Sequence, residues 1–154
     1  DMFGYLFDPD YFIYAEDVDL GLRIRLNGKK ILFNSQAVLY HMHALTSKKT
    51  SKAFTTFLME RNSLITFFKI FSSRNVILFF PYVFGMRLFA IVKDIFTLNF
   101  SSAFARLKAI AWIIFNIGAI YKKRKEVQRF RKVGDSYILK VFTEKYLLKK
   151  KFII

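Results

Sequence analysis

Three carboxylate side chains stand close together near the start of this 154-residue chain, at Glu16, Asp17 and Asp19. Apolar residues at helical spacing predict a helix from Asp17 to Asn27, so these acids lie where a loop enters the helix. Aromatic residues precede them, and apolar surroundings raise a carboxylate's pKa and exclude water. One interpretation is a general base for a bound hydroxyl. The other is helix capping, because carboxylates favour helix N-termini.

The charge of the chain is distributed unevenly. Six of its eleven acidic residues lie in the first nineteen positions, and no Lys or Arg precedes Leu20, yet the net charge is +15. The chain is also 54% hydrophobic and contains 20 Phe residues, a composition that suits anionic lipid headgroups above an acyl region. It therefore favours a membrane surface as the partner over a nucleic acid. Cysteine is absent, which excludes disulfides and thiolate metal sites.

The front section of the chain, residues 1–52, is predicted to be a fragment of an α/β fold. Gly28 is expected to end the first helix, and two strand-like runs follow, Lys30–Phe33 and Ala37–Tyr40. This section, residues 1–52, is too small to form a domain alone. We therefore expect the chain to be the C-terminal piece of a longer polypeptide.

Residues 53–154 are predicted to form a mainly α-helical, membrane-associating region. Two long apolar segments, Val76–Phe100 and Ala103–Tyr121, lie within it, and a strongly basic run over residues 122–132 follows them. Charged residues interrupt both segments, and such residues are costly at the centre of a bilayer. Helices that lie in the interface or insert partly are therefore expected, with true spanning as the alternative. The interrupting charges of the first segment are Arg87, Lys93 and Asp94.

Several motifs occur in a characteristic order. They are Phe7-Asp8 with Tyr11-Phe12, the block Glu16-Asp17-Val18-Asp19-Leu20-Gly21-Leu22-Arg23, Gly28, Tyr40-His41 and Arg61-Asn62. Together they resemble the C-terminal part of glycosyltransferase family 2, and most closely its bacterial rhamnosyltransferase-type members. The resemblance covers Phe3 to about Phe71. It implies a GT-A fold, a Rossmann-like α/β sandwich that binds a nucleotide-sugar with a divalent metal, Mn²⁺ or Mg²⁺.

The resemblance also assigns roles to the three acids. Asp17 is the general base that deprotonates the acceptor hydroxyl, which then displaces the nucleotide diphosphate with inversion. Glu16 positions the acceptor or supports the base, and Asp19 caps the helix or bonds neighbouring backbone. These roles come from the family and not from the spacing of the residues.

Further site residues follow from the same resemblance. His41 is the expected metal ligand, although His43 lies on the same side of an extended strand and could serve instead. Arg61 and Asn62 are candidates to grip a phosphate of the donor or of a lipid acceptor, and a structural ion pair, with Glu60 or the acidic loop, is the equal alternative. The Asp-x-Asp motif that completes the family's metal site does not occur in a suitable strand context in this chain, since Asp8-Pro9-Asp10 and Asp17-Val18-Asp19 match it by letters only. The fragment alone is therefore expected to be inactive.

The sequence thus predicts part of an inverting glycosyltransferase. It would transfer a sugar, with rhamnose expected, from a dTDP- or UDP-sugar to a lipid-linked or cell-surface polysaccharide acceptor. The expected location is the cytoplasmic face of the bacterial plasma membrane. The alternative is a non-enzymatic protein that binds membranes through basic amphipathic helices.

Overall fold

The computed structural model describes residues 4–32, 34–40 and 50–140. Within them a 3₁₀ turn, Pro9–Tyr11, precedes five α-helices, and residues 135–140 are also helical. The helices are α1 (Glu16–Leu26), α2 (Lys52–Ile70), α3 (Ser73–Phe96), α4 (Phe100–Phe115) and α5 (Ile117–Arg129).

The predicted first helix is confirmed as α1, and its predicted stop at Gly28 is confirmed as well. Gly28 has a φ of +76°, a conformation that costs other residues energy. Its N–H donates to the Arg25 carbonyl oxygen at 2.9 Å, and the Lys29 N–H donates to that of Ile24 at 3.2 Å. These two bonds form a Schellman motif, which satisfies the last carbonyl groups of the helix.

Helix α2 is the centre of the structure, packing against α1, α4 and α5, while α3 packs against α4. Serine side chains define two helix starts: Ser51 accepts from the Phe54 N–H at 3.2 Å, and Ser72 accepts from the Asn75 N–H at 3.3 Å. The apolar segment predicted as one unit over residues 103–121 is broken at Asn116, where α4 and α5 meet with a bend of 70°.

Two apolar clusters hold these helices together. Both combine residues from either side of residue 52, so the two predicted pieces share their core. The first consists of Tyr11, Leu64, Ile65, Ile113 and Ile120, and the second of Leu22, Leu26, Ile70, Val127 and Ile138.

The prediction of an α/β Rossmann-like fragment is wrong, because the described residues contain helices and no strand. Residues 37–40 and the described part of the run 30–33 are irregular. A strand needs an extended neighbour for its backbone N–H and C=O groups, and the described part of the chain offers none. The apolar side chains of these runs are consequently exposed, with Leu39 at 85% and Tyr40 at 93%.

Helix α3 is long and apolar enough to cross a membrane, and almost none of it is buried. Two of the three charges predicted to interrupt it turn toward neighbouring helices. Arg87 lies 3.2 Å from Glu60 of α2, and Asp94 lies 2.9 Å from Arg106 of α4. The remaining surface of α3 is therefore more apolar than its sequence suggests, with Lys93 the exposed member of the three.

Candidate functional site

The first turn of α1 carries Glu16, Asp17 and Asp19, as predicted, but the three side chains lie in different surroundings. Asp17 is exposed, and its carboxylate accepts from the Val18 N–H at 2.8 Å. Glu16 is partly buried, and its Oε2 atom is enclosed with no hydrogen-bond partner in the described part of the chain. Asp17 is thus the carboxylate of the three that a substrate could reach, although the described residues do not form the apolar surroundings predicted for it.

Asp19 is completely buried, and the partners that the structure gives its carboxylate are side chains. The carboxylate binds side chains from three elements. It accepts from the Tyr11 hydroxyl at 3.1 Å and from Arg23 Nε at 2.7 Å, and Lys69 Nζ lies 2.8 Å away. Burial, followed by the negative charge of Asp19, raises the pKa of Tyr11, so its hydroxyl stays protonated as a donor. Asp19 therefore stabilises the fold beneath the exposed acids.

The buried cluster extends from Asp19 to the loop before α1. Lys69 lies 2.6 Å from Asp8, and Lys123 of α5 contacts both Asp8 and Asp10. Burial opposes ionisation of Asp8, but hydrogen bonds from Lys123 and Lys69 outweigh it, and the pKa of Asp8 lies below its usual value. With Arg23, the cluster contains three carboxylates and three cations, so its charges balance.

Asn62 fixes the loop that leads into α1. Its Nδ2 group lies within hydrogen-bond distance of three backbone carbonyl oxygens, those of Tyr11 at 3.0 Å, Ile13 at 2.9 Å and Tyr14 at 2.8 Å. Backbone carbonyls on a strained loop are otherwise hard to satisfy, and Tyr14 and Ala15 both have positive φ. Asn62 therefore determines where the acidic turn lies.

Arg61 holds the same loop from the adjacent position. Its Nη2 donates to the carbonyl oxygens of Asp10 at 2.7 Å and Tyr11 at 3.2 Å. Its guanidinium lies over the rings of Phe57 and Trp112, with the central carbon 5.5 and 5.0 Å from the ring centres. The two predicted residues are thus brought together at the acidic loop, where they bind its backbone. The alternative pairing of Arg61 with Glu60 is not formed.

The predicted metal ligand, His41, and its alternative His43 lie outside the described residues. Within the described ranges no group of three or more His, Asp or Glu side chains is arranged to hold a metal ion. The Mn²⁺ or Mg²⁺ site that the resemblance implies stays a prediction, and no chemical step is assigned to a metal.

The cluster residues Asp8, Lys69 and Lys123 were not predicted as part of the site. A signal for the cluster residue Lys69 and for Asn62 was present in the sequence of α2. Leu58, Asn62, Ile65 and Lys69 recur at the spacing of one helix face, so a polar amide and an ammonium group interrupt an apolar stripe. Polar groups at such positions are buried only with partners, which predicts a buried polar network.

Comparisons with protein-family models, curated proteins and solved structures find no match to this chain. The likeness to glycosyltransferase family 2 therefore rests on the motifs quoted above. The activity it implies is treated below as a proposal.

Proposed function

We propose that this chain forms the acceptor side of a membrane-associated inverting glycosyltransferase, with Asp17 as the general base. The observation that carries the proposal is the contrast between two acids of one motif, Asp17 exposed at the start of α1 and Asp19 buried in an ion cluster. A base must reach the proton it removes, and of these two only Asp17 has an accessible carboxylate.

In the proposed reaction, Asp17 takes the proton of an acceptor hydroxyl. The hydroxyl oxygen then forms a bond to the anomeric carbon of the donor sugar, while the bond from that carbon to the nucleotide diphosphate breaks. Attack opposite the leaving group inverts the anomeric configuration. Glu16 precedes the base by one residue and is partly buried, and its proposed role is to position the acceptor or to support the base.

Membrane association is the second part of the proposal, with the lipid-linked acceptor reached at the cytoplasmic face. Its support is the exposed apolar surface of α3 together with the net charge of +15. Large apolar side chains such as Ile77, Phe89 and Phe96 are 74%, 64% and 83% exposed. Burying them in the acyl region and placing the basic α5 at anionic headgroups would use both features.

The test compares Asp17→Asn with Asp19→Asn in the full-length protein. Transfer from radiolabelled nucleotide-sugars, beginning with dTDP-rhamnose, to a polyprenyl-linked acceptor is measured beside thermal unfolding. We expect Asp17→Asn to abolish transfer and to change stability by less than about 0.5 kcal/mol. Asp19→Asn should lower stability by about 3–5 kcal/mol, because it removes the carboxylate that pairs with both buried Arg23 and buried Lys69. Normal transfer by Asp17→Asn would remove Asp17 from the role of base.

A second candidate function is membrane binding without catalysis, which the uncovered surface of α3 favours by itself. The same transfer assay, together with vesicle co-sedimentation, separates the two. If vesicle binding is strong while the unmodified protein transfers no sugar from any donor tested, the acidic turn is a structural element and this second function is the correct one.

A further inference from the structure

An apolar groove runs between α2, α3, α4 and the start of α5, with a volume of about 390 Å³. Phe68 of α2, Phe80 and Phe84 of α3, and Ile113 and Ile114 of α4 line most of it. No polar side chain contributes to its lining, so a sugar or nucleotide would lose its hydrogen bonds there. The groove suits a hydrocarbon chain.

The mouth of the groove lies at the uncovered surface of the molecule. Phe80 is 43% exposed, Ile114 64% and Ile117 51%. Phe80 also belongs to α3, the helix proposed above to contact the membrane. A chain of a lipid in that membrane could therefore enter the groove without crossing water.

A second cavity, of about 320 Å³, adjoins the groove and shares Phe68 and Ile117 with it. Its other lining residues include Gly118, Tyr121 and Arg124. The apolar groove thus continues into a cavity that Arg124 also lines. An apolar groove that leads to a cationic residue suits a molecule with a hydrocarbon chain and an anionic head.

The Arg124 guanidinium is anchored by neutral groups. It donates to the carbonyl oxygens of Phe68 and Phe71 and, at 3.1 Å, to Ser73 Oγ. No carboxylate in the described part of the chain lies within ion-pair distance of it. These three bonds use three of the five guanidinium N–H groups, and the carboxylate of Asp135 acts on the guanidinium only from beyond ion-pair distance. Phosphate oxygens are the acceptors that a guanidinium binds most strongly.

We propose that the groove binds one acyl chain of an anionic phospholipid, with the lipid phosphate at Arg124. The inference rests on the membrane association proposed above but not on sugar transfer. It assigns to α2, α3, α4 and α5 a lipid site of their own, separate from the acidic turn of α1.

Gly118 provides a means to close the site without disturbing the fold. Gly118 lines the adjoining cavity, and a Cβ atom at this position meets no atom within 4 Å, so there is room for a larger side chain. Gly85 of α3 is a matched control, because it is also helical and also has open space at its Cβ position, but it does not line either cavity.

The experiment uses vesicles of phosphatidylcholine that contain phosphatidylglycerol with a photoreactive diazirine in one acyl chain. Vesicle binding is measured by co-sedimentation, and the labelled residues are mapped by mass spectrometry after irradiation. We expect labels on the groove residues. Gly118→Leu should reduce this labelling about tenfold, because the new side chain displaces roughly two methylene groups of the lipid, while Gly85→Leu leaves it unchanged. Co-sedimentation should be the same for both variants.

Replacing the labelled lipid by a diazirine phosphatidylcholine tests the role of charge. The anionic lipid should label the groove more than the neutral one, and Arg124→Gln should remove that preference. Labels confined to the outward surface of α3, or groove labelling that Gly118→Leu does not reduce, would overturn the proposal. Failure to bind vesicles at all would overturn it together with the proposed membrane association, whereas loss of the lipid site alone leaves the assay of Asp17 unaffected.

Discussion

Lys69 Nζ lies 2.6 Å from a carboxylate oxygen of Asp8, and both side chains are excluded from solvent. The pair joins the loop before α1 to the middle of the core, because Lys69 belongs to α2 and also lies 2.8 Å from Asp19. Buried charges of this kind stabilise a fold only while every member keeps its partners. The acidic turn of α1 is therefore positioned by an ion cluster as well as by apolar packing.

Replacing Lys69 by Met should destabilise the protein strongly. The substitution leaves Asp8 with Lys123 alone and Asp19 with Arg23 alone, both buried and under-compensated. We expect the free energy of unfolding in urea to fall by about 3–5 kcal/mol. Lys52→Met, at the exposed start of the same helix, is the control and should change it by less than about 0.5 kcal/mol. A small effect at both positions would mean that the cluster contributes little to stability.

Acid should weaken the fold through the same cluster. The pKa of Asp8 is lowered in the folded state, so the unfolded chain binds its proton more readily. The stability that Asp8 contributes is therefore complete above its unfolded pKa of about 3.9 and is lost as the pH falls through the lower folded value. Urea midpoints should be nearly constant from about pH 7 to pH 5 and should decrease below about pH 4.

Asp135 should add to this acid sensitivity. Burial raises its pKa, but hydrogen bonds from Ser72 and from Arg131 outweigh that effect and lower it. Its carboxylate joins residues after α5 to the start of α3, accepting from the Ser72 N–H at 2.8 Å. Asp135→Asn should therefore make the decrease below about pH 4 shallower. A protein that becomes more stable between pH 5 and pH 3 would contradict both assignments.

Asn62→Ala should release the loop before α1 without unfolding the helix bundle. Its two N–H donors lie near three carbonyl oxygens, of which that of Tyr11 also accepts from Arg61. Leaving the acceptors of Ile13 and Tyr14 unpaired costs about 1–3 kcal/mol. We expect a loss of that size in stability and faster hydrogen exchange over residues 11–19. Asn99→Ala is the matched control, because Asn99 precedes α4 without a side-chain capping bond. Unchanged exchange in the loop would show that other contacts hold it.

Vesicle binding should weaken when exposed apolar side chains of α3 are removed. Changing Ile77 and Phe89 together to Ser removes two exposed apolar side chains, each of which is worth about 1.5–3 kcal/mol when fully buried. Partitioning onto anionic vesicles should fall by at least about tenfold in co-sedimentation. Leu32→Ser, at a residue 84% exposed but outside the helices, should have little effect. Equal losses from both changes would indicate that α3 is not the membrane-contacting surface.

Local patterns predicted α1 well, because its apolar spacing and Gly28 act within one helix. The strands were predicted wrongly for the opposite reason, since a strand forms only beside a partner and the described chain supplies none for residues 37–40. The candidate site could be predicted only in part. The order of the residues in the sequence identified the three carboxylates of the first turn. The burial of Asp19, however, depends on its ion pair with Lys69, fifty residues away in sequence. Local spacing does not predict a contact between residues so far apart.

Two glycines should respond to alanine with opposite signs. Gly28 has a φ of +76°, and a Cβ there would meet Val133 at an ordinary 3.6 Å, so strain in the backbone decides the outcome. Gly28→Ala should lower stability by about 1–2 kcal/mol, because the left-handed conformation is unfavourable for L-residues. Gly85→Ala lies inside α3 with open space around it and should raise stability by about 0.5–1 kcal/mol, since Gly is the poorer helix former. Urea unfolding measures the change in the free energy of unfolding for each variant. If Gly28→Ala raised stability, the turn after α1 would have to adopt another conformation.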